Sequence, residues 1–200
     1  MRRESQEKRK KFLVYLLGFV MLASTFSVIF FGFAAGATKN IVKYNGFKLV
    51  DRGNFWTTVI DKKEILFSYF PSDVEQIPTE NEAIEKLKGA VEIDLTSDFN
   101  DTFAQSIALA QFQTSDALSN FNVFVRTGFT NETKTNFQVI TCNISTNFVP
   151  VVYFKSSNET KIYLKDSCIT GEVSANTDAA KIKDRLLYGM FGLIKSNANS

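Results

Sequence analysis

The 200-residue sequence contains no histidine. This absence excludes Ser-His-Asp and Cys-His catalysis, proton transfer by imidazole, and every metal site that depends on a histidine ligand. No motif diagnostic of a catalytic or cofactor site occurs, so no cofactor is expected. The groups that remain for chemistry are carboxylates, tyrosines, a serine–lysine pair, and oxygen ligands for a hard cation.

Cysteine is almost as scarce, since Cys142 and Cys168 are the only two. Two thiols are too few for a thiolate zinc site within one chain, and these lie too far apart for a C-x-x-C redox motif. In a domain outside the cytoplasm, the expected state is one structural disulfide, which would stabilise the fold by about 3 kcal/mol. A free or reactive pair is the alternative.

Clustered positive charge is missing from most of the chain. Residues 1–11 hold six of the 23 basic residues and two of the 21 acidic ones, so the remainder carries 17 basic against 19 acidic residues. Nucleic-acid binding needs clustered lysine and arginine to contact the phosphate backbone. A nucleic-acid partner is therefore not expected.

Charge of either sign is absent from residues 12–37, which directly follow the basic tail of residues 1–11. At about 1.5 Å per residue, this run can cross the roughly 30 Å hydrocarbon core of a bilayer. One alternative is a cleaved signal peptide, because an A-x-A pattern ends the run at residues 35–37. The apolar stretch of a signal peptide has only about 7 to 15 residues, however. A long buried core helix is the other alternative, and we predict a retained single-pass anchor in the lipid bilayer.

The basic residues on either side of this run predict its orientation. Six precede it, whereas four are spread over the residues that follow it, namely Lys39, Lys43, Lys48 and Arg52. Since flanking basic residues resist translocation, we expect the N-terminus in the cytoplasm and the main domain outside it. Gly32 and Gly36 form a small-xxx-small pair through which two anchors would pack as a homodimer. The alternative is that they only reflect how common glycine is in membrane helices.

Beyond the anchor, residues 38–46 are interpreted as a spacer and residues 47–200 as one extracytoplasmic domain with its own core. Residues 47–70 alternate short β-branched and aromatic runs with turn signals, which predicts a three-stranded meander. Two capping boxes, beginning at Ser72 and Thr79, predict two short helices after it.

The rest of the domain predicts further strands and helices. A strand–helix–strand unit is expected from Val91 to Thr127, with apolar side chains at helical spacing in its centre. Three more strands are predicted at 137–142, 148–154 and 161–173, and Pro150 suggests an edge or a bulge for the second. The expected fold class is α+β, with a mixed, mostly antiparallel sheet.

The chain ends in a predicted amphipathic helix at residues 177–195. Its polar face mixes charges of both signs, at Asp178, Lys181, Lys183, Asp184 and Arg185. A membrane-surface helix would be more uniformly basic, so we expect this helix to dock on the sheet instead.

Three aspartates, Asp94, Asp98 and Asp101, cluster between a predicted strand and the next helix, where α/β units often bind ligands. Their oxygens would suit Ca²⁺ or Mg²⁺, but the spacing of a calcium loop is absent, and helix capping is the alternative. No metal site is therefore assigned. Glu92 shares a strand face with Asp94, so these two are also candidates for a glycosidase-like carboxylate pair.

Four N-glycosylation sequons occur in the chain, and Asn131 and Asn158 are the expected acceptors because they lie in predicted loops. Lys165 and Ser167 suggest a serine–lysine dyad, although their spacing matches no nucleophile motif and a polar turn is the alternative. Aromatic side chains are abundant and would line a ligand-binding surface, but their alternation in predicted strands favours core packing.

Several short motifs resemble those of uncharacterised archaeal proteins with a membrane anchor and a two-cysteine ectodomain. The motifs are residues 44–47 (YNGF), 67–71 (FSYFP), 141–143 (TCN) with the later Cys168, and 184–189 (DRLLYG). The resemblance implies an N-terminal anchor and a paired cysteine. It implies no catalytic residue and no known activity.

These observations lead to one expected function and two alternatives. The expected function is a non-catalytic interaction or structural component of the cell envelope, with an envelope protein as partner. The first alternative is a membrane-tethered hydrolase that uses Glu92, Asp94, Asp98 and Asp101. The second is an ectodomain that binds a small ligand or a glycan in an aromatic-lined pocket.

Overall fold

The computed structural model describes Met21, residues 40–132 and residues 137–195. The predicted basic tail, the predicted anchor apart from Met21, and the Gly32–Gly36 pair lie outside the described residues. In the part of the chain that is described, no helix is both long and apolar enough to cross a membrane. The chain divides at Asn40, and the unit that begins at Ile41 contains every element named below.

Four antiparallel strands form a first sheet, sheet A, in the order β1–β2–β3–β4. The strands are β1 (Ile41–Tyr44), β2 (Phe47–Asp51), β3 (Trp56–Ile60) and β4 (Lys63–Phe67). The Asn45-Gly46 turn has positive φ at both residues, the geometry of a tight hairpin, and it pairs β1 with β2. The meander therefore has four strands, and residues 41–44 belong to the sheet instead of to the predicted spacer.

Two short helices follow sheet A, as predicted, but their caps differ from the sequence interpretation. Helix α1 is Pro71–Val74 and helix α2 is Asn81–Leu87. The cap of α1 is Phe70, whose N–H donates to the Asp73 carboxylate at 3.3 Å. The hydroxyl of Thr79 donates to the carbonyl of Ile77 at 2.8 Å, so this residue stabilises the preceding turn and not α2.

Five strands form a second sheet, sheet B, in the order β6–β5–β7–β9–β8. The strands are β5 (Glu92–Ser97), β6 (Phe124–Phe129), β7 (Val151–Ser156), β8 (Lys161–Lys165) and β9 (Cys168–Val173). Every neighbouring pair is parallel except β8 and β9. The prediction of a mostly antiparallel sheet is thus right for sheet A and wrong for sheet B. Helix α3, Ala104–Ser119, joins the parallel strands β5 and β6, which confirms the predicted strand–helix–strand unit.

The region before and after β7 differs most from the sequence interpretation. Residues 137–142 form no strand among those described, only a bridge between Val139 and Phe129, and a 3₁₀ turn follows at Cys142–Ile144. Pro150 precedes β7, which is a central strand, and its carbonyl accepts a hydrogen bond from the N–H of Asp94 at 3.0 Å. Because proline stands outside the strand, it removes no donor from the sheet.

The last helix, α4, is Asp178–Met190 and contacts both sheets. Its Tyr188 ring stacks on Phe67 of β4 with centroids 3.9 Å apart. On the other side, Ile182 packs so closely on β9 that a Cβ at Gly171 would lie 2.9 Å from it. Docking on a sheet is confirmed, but the polar face is not exposed, because Lys183, Asp184 and Arg185 are all buried.

Candidate functional site

The two faces of sheet B have different chemistry. Alternate residues such as Leu95, Phe154 and Ile169 point into the main core with the helices. The opposite face carries polar side chains, and its middle is covered by the segment after β6, where Ile140 packs with Val151 and Cys168. The hydroxyl of Thr96 donates to the carbonyl of Ile140 at 2.8 Å and holds this segment on the sheet.

A disulfide between Cys142 and Cys168 fastens the same segment to β9, with their Cα atoms 5.2 Å apart. The predicted pairing is therefore confirmed. The bridge joins a 3₁₀ turn to a strand, whereas the sequence interpretation had placed both cysteines on strands.

The predicted carboxylate pair, Glu92 and Asp94, forms ion pairs with Arg126. Arg126 of β6 lies directly opposite Asp94 in the parallel register, and its Nε and Nη2 donate to the two carboxylate oxygens at 2.7 Å each. Glu92 lies 2.9 Å from the same guanidinium. Since Asp94 is fully buried in this two-point contact, it serves the pairing of β5 with β6 and is not open to a substrate.

The other two predicted aspartates bond to the backbone. Asp98 accepts from the N–H of Asn100 at 2.8 Å, and Asp101 accepts from the N–H of Phe103 at 2.8 Å. The second oxygen of Asp101 accepts from the N–H of Ser156 at 2.7 Å. These contacts order the loop before α3. Among the described residues, no group of three acidic or cysteine side chains is arranged to hold a metal ion.

A charged cluster that the sequence did not suggest lies at the carboxyl end of the parallel strands. Glu172 of β9 is the cross-strand neighbour of both Lys155 on β7 and Lys161 on β8. Its carboxylate lies 2.9 Å from the first ammonium and 3.3 Å from the second. It also accepts from the hydroxyls of Tyr163 at 2.9 Å and Ser157 at 3.1 Å. We call these five residues the Glu172 cluster.

The electrostatics of the Glu172 cluster do not suit proton transfer. Burial raises the pKa of Glu172, but the hydrogen bonds from Lys155, Tyr163, Lys161 and Ser157 outweigh it and lower the pKa to about 2. Its carboxylate in turn raises the pKa of both lysines. A general acid or base works best with a pKa near the operating pH, and none of these shifts is toward neutrality. The cluster therefore holds fixed charges near neutral pH.

The strand predicted at 161–173 is two strands, β8 and β9, joined by a tight turn at Asp166 and Ser167. Lys165 ends β8 and Ser167 lies in this turn, and among the described residues no hydrogen bond joins their side chains as a serine–lysine dyad would. Ser167 has a φ of 63°, and its carbonyl accepts from the ammonium of Lys86 and from the hydroxyl of Ser145, both at 2.6 Å. The turn interpretation is therefore the one that fits. The expected glycosylation acceptors Asn131 and Asn158 are both exposed.

Helix α4 buries three consecutive charges, Lys183, Asp184 and Arg185. The carboxylate of Asp184 is 2.6 Å from the ammonium of Lys183 and also accepts from the N–H of Tyr69 at 2.8 Å. Burial raises the pKa of Asp184 to about 6, although the ammonium acts in the opposite direction. These contacts join α4 to the end of sheet A, which is a structural role. In the sequence these charged residues were assigned to the polar face of the helix, and no local signal could have revealed their burial.

An open groove lies between β4 and α3, with a volume of about 350 Å³. Residues 64–68 form one side, and Phe112, Gln113 and Asp116 of α3 are on the other. Lys183 contributes to its lining from α4. The sequence could not predict this groove, because it arises where two elements about fifty residues apart in the chain come together.

Comparisons with protein-family models, with curated proteins and with solved structures found no match to this chain.

Proposed function

We propose that this chain is a single-pass membrane protein of the cell envelope whose extracytoplasmic domain acts by binding another protein, without catalysis. The observation that carries this proposal is the contrast between its charged groups and its apolar ones. The carboxylates of Asp94, Asp98 and Asp101 are engaged in internal contacts. Large apolar side chains meanwhile lie exposed beside the groove, including Phe112, which is 68% exposed, and Leu66, which is 47% exposed.

The placement in the envelope rests on two independent features. The uncharged run of residues 12–37 and the basic tail before it favour an anchor with its N-terminus in the cytoplasm. The Cys142–Cys168 disulfide supports an extracytoplasmic domain, because cytoplasmic thiols are normally kept reduced. The Gly32–Gly36 pair remains a proposed contact for a homodimer of anchors, in addition to the protein partner.

The hydrolase alternative is less well supported by the geometry. Asp94 is paired with Arg126, while Asp98 and Asp101 accept backbone hydrogen bonds. A retaining or inverting glycosidase needs two carboxyl groups that face one bond of the substrate. We therefore expect that replacing these carboxylates would lower the free energy of unfolding. Any hydrolytic activity of the protein should be the same before and after the replacement.

The proposal is tested by gentle detergent extraction of the tagged full-length protein from its native membrane, followed by mass spectrometry of what co-purifies. A protein recovered in stoichiometric amount, and absent when an unrelated single-pass protein carries the same tag, is the expected result. Recovery of the folded chain alone under several detergents would contradict the proposal. That outcome would favour the small-ligand or glycan alternative and justify a ligand screen.

A further inference from the structure

Strand β4 is a free edge of sheet A. In the described part of the chain it pairs only with β3, and residues 63–67 make no other backbone hydrogen bond. In an antiparallel pair, every second residue directs its N–H and C=O away from its neighbour. Unpaired groups of this kind are a template for another strand, and natural proteins usually protect them. Here the edge borders the groove instead of being covered.

The groove places exposed apolar side chains beside the free edge of β4. Its exposed apolar surface comes from Phe55 and Leu66 on the side of sheet A and from Phe112 on the side of α3. A strand added to a sheet lies about 4.8 Å from its neighbour and alternates its side chains between the two faces. A segment paired with β4 would thus place alternate side chains against these apolar groups.

One polar atom at the groove has no hydrogen-bond partner among the described residues. The side-chain oxygen of Gln113 is buried and has no hydrogen-bond partner among the described residues. The side chain of Lys183 is 97% buried, and its ammonium already contacts Asp184 at 2.6 Å and the hydroxyl of Ser68 at 3.4 Å. Buried polar atoms normally have partners, so the Gln113 oxygen is an unpaired acceptor at the wall of the groove.

The accessible charge of the groove is negative. Glu64 is bonded to Arg52 at 3.2 Å, and Lys183 is neutralised by Asp184. Asp116, exposed on α3, forms no ion pair with any other described residue. A ligand that complements this surface carries apolar side chains and at least one lysine or arginine.

We infer that the groove binds an extended, basic and apolar segment of a partner protein, which adds to β4 as a fifth strand of sheet A. Strand addition of this kind takes its affinity from backbone hydrogen bonds and its specificity from alternate side chains. Helix α3 lines the far side of the groove, so a segment added to β4 would lie between the two elements. This inference rests on the proposed function, since it names where and how the partner would bind.

The test uses the full-length protein in lipid nanodiscs and a phage-displayed library of random decapeptides as the probe. Peptides are selected on the wild type and then measured on four variants. Phe112→Ala and Asp116→Lys alter the groove, whereas Phe148→Ala and Glu82→Lys are matched changes at exposed sites elsewhere. We expect enrichment of peptides that alternate apolar residues with lysine or arginine. Each groove variant should weaken their binding at least about fivefold, as the loss of an interface anchor or charge does, and the controls less than twofold.

Hydrogen exchange then locates the bound peptide. Saturation with a selected peptide should slow amide exchange in β4 by at least about tenfold, while the opposite edge strand, β1, should keep its rate. Acidic peptides should replace basic ones when the selection is repeated on Asp116→Lys. Together these results would establish strand addition at this edge.

Three results would overturn the inference. The first is a selection on the wild type that enriches no peptides, or only peptides that bind the groove variants equally well. The second is peptide binding that leaves β4 exchange unchanged. The third is protection of β4 that rises with protein concentration in the absence of peptide, which would identify a second copy as the occupant. If the partner still co-purifies with Asp116→Lys and Phe112→Ala, the proposed function stands and only the groove is excluded.

Discussion

Asp184 on the central helix α4 accepts a hydrogen bond from the backbone N–H of Tyr69 at 2.8 Å, and so joins the helix to the end of sheet A. Four residues later, the hydroxyl of Tyr188 donates to the carbonyl of Tyr69 at 2.7 Å. Both polar groups of one backbone residue are therefore bonded to successive turns of α4. The short connection between β4 and α1 is held in place by the helix that comes last in the chain.

The buried carboxyl of Asp184 should make stability depend on pH between about 4 and 7. Burial raises its pKa from 3.8 to about 6 in the folded state, which therefore binds the proton more tightly than the unfolded chain does. This contribution is complete below pH 4 and is lost as the pH rises through 6. Relative to Asp184→Asn, the free energy of unfolding of the wild type should fall by on the order of 2 kcal/mol over this range. Urea unfolding at several pH values measures it, and parallel curves for the two proteins would contradict it.

Glu172 should have the opposite pH dependence. Although burial raises its pKa, the surrounding donors lower it from 4.5 to about 2, so the ionised form is favoured by folding. The stabilisation is present above pH 4.5 and is lost as the pH falls toward 2. We expect the stability difference between the wild type and Glu172→Gln to shrink by on the order of 2 kcal/mol between pH 5 and pH 2. The matched control is Glu159→Gln, at a side chain 78% exposed, which should show no such change in acid unfolding curves.

Removing the disulfide should lower the free energy of unfolding by about 3 kcal/mol, because the unfolded chain regains the freedom of the closed loop. The variant to test is Cys142→Ser combined with Cys168→Ser, whose positions are 26 residues apart. Dithiothreitol should destabilise the wild type by a similar amount and leave the double variant unchanged in a denaturant titration. A double variant as stable as the oxidised wild type would refute this expectation.

A side chain at Gly128 should be destabilising, because a Cβ there would collide with the backbone carbonyl of Gln138 and lie 2.9 Å from Ile140. We expect Gly128→Ala to destabilise the protein by about 1–3 kcal/mol through overpacking. It should also speed exchange of the Ile140 amide, which donates to the carbonyl of Phe129 at 2.8 Å. Thr127→Ala, an exposed neighbour on the same strand, should change stability by less than about 0.5 kcal/mol. If the two substitutions had equal effects on stability, the segment around Gln138 and Ile140 would not be packed closely on β6.

Several elements could be predicted because their signals are local. Helix α3 and helix α4 show apolar spacing along their own length, and the segment from Phe47 to Phe67 alternates strands with recognisable turns. The disulfide followed from there being only two cysteines. Strand β1 was missed because four residues are too few for a periodic signal, although Asn45-Gly46 is a strong hairpin turn.

The candidate sites could be predicted much less well. Asp94, Asp98 and Asp101 are close in sequence, which suggested a shared site. In the structure each contacts a different partner, and the partner of Asp94 is Arg126 on β6. Glu172 is 17 residues from Lys155 and 11 from Lys161, and no spacing rule connects them. Their contact depends on the strand order of sheet B, in which β7 and β8 both neighbour β9.

Local patterns in the chain were thus sufficient for the types and approximate limits of most helices and strands, for the paired cysteines, and for the exclusion of histidine-based chemistry. Those features depend on neighbouring residues or on composition, which a sequence states directly. The parallel arrangement of sheet B, the burial of Lys183 and Asp184, and the groove beside β4 came only from the folded chain. Each requires knowing which distant elements pack together, and that choice is made by the free energy of the whole fold, since burial and pairing are not properties of any one segment.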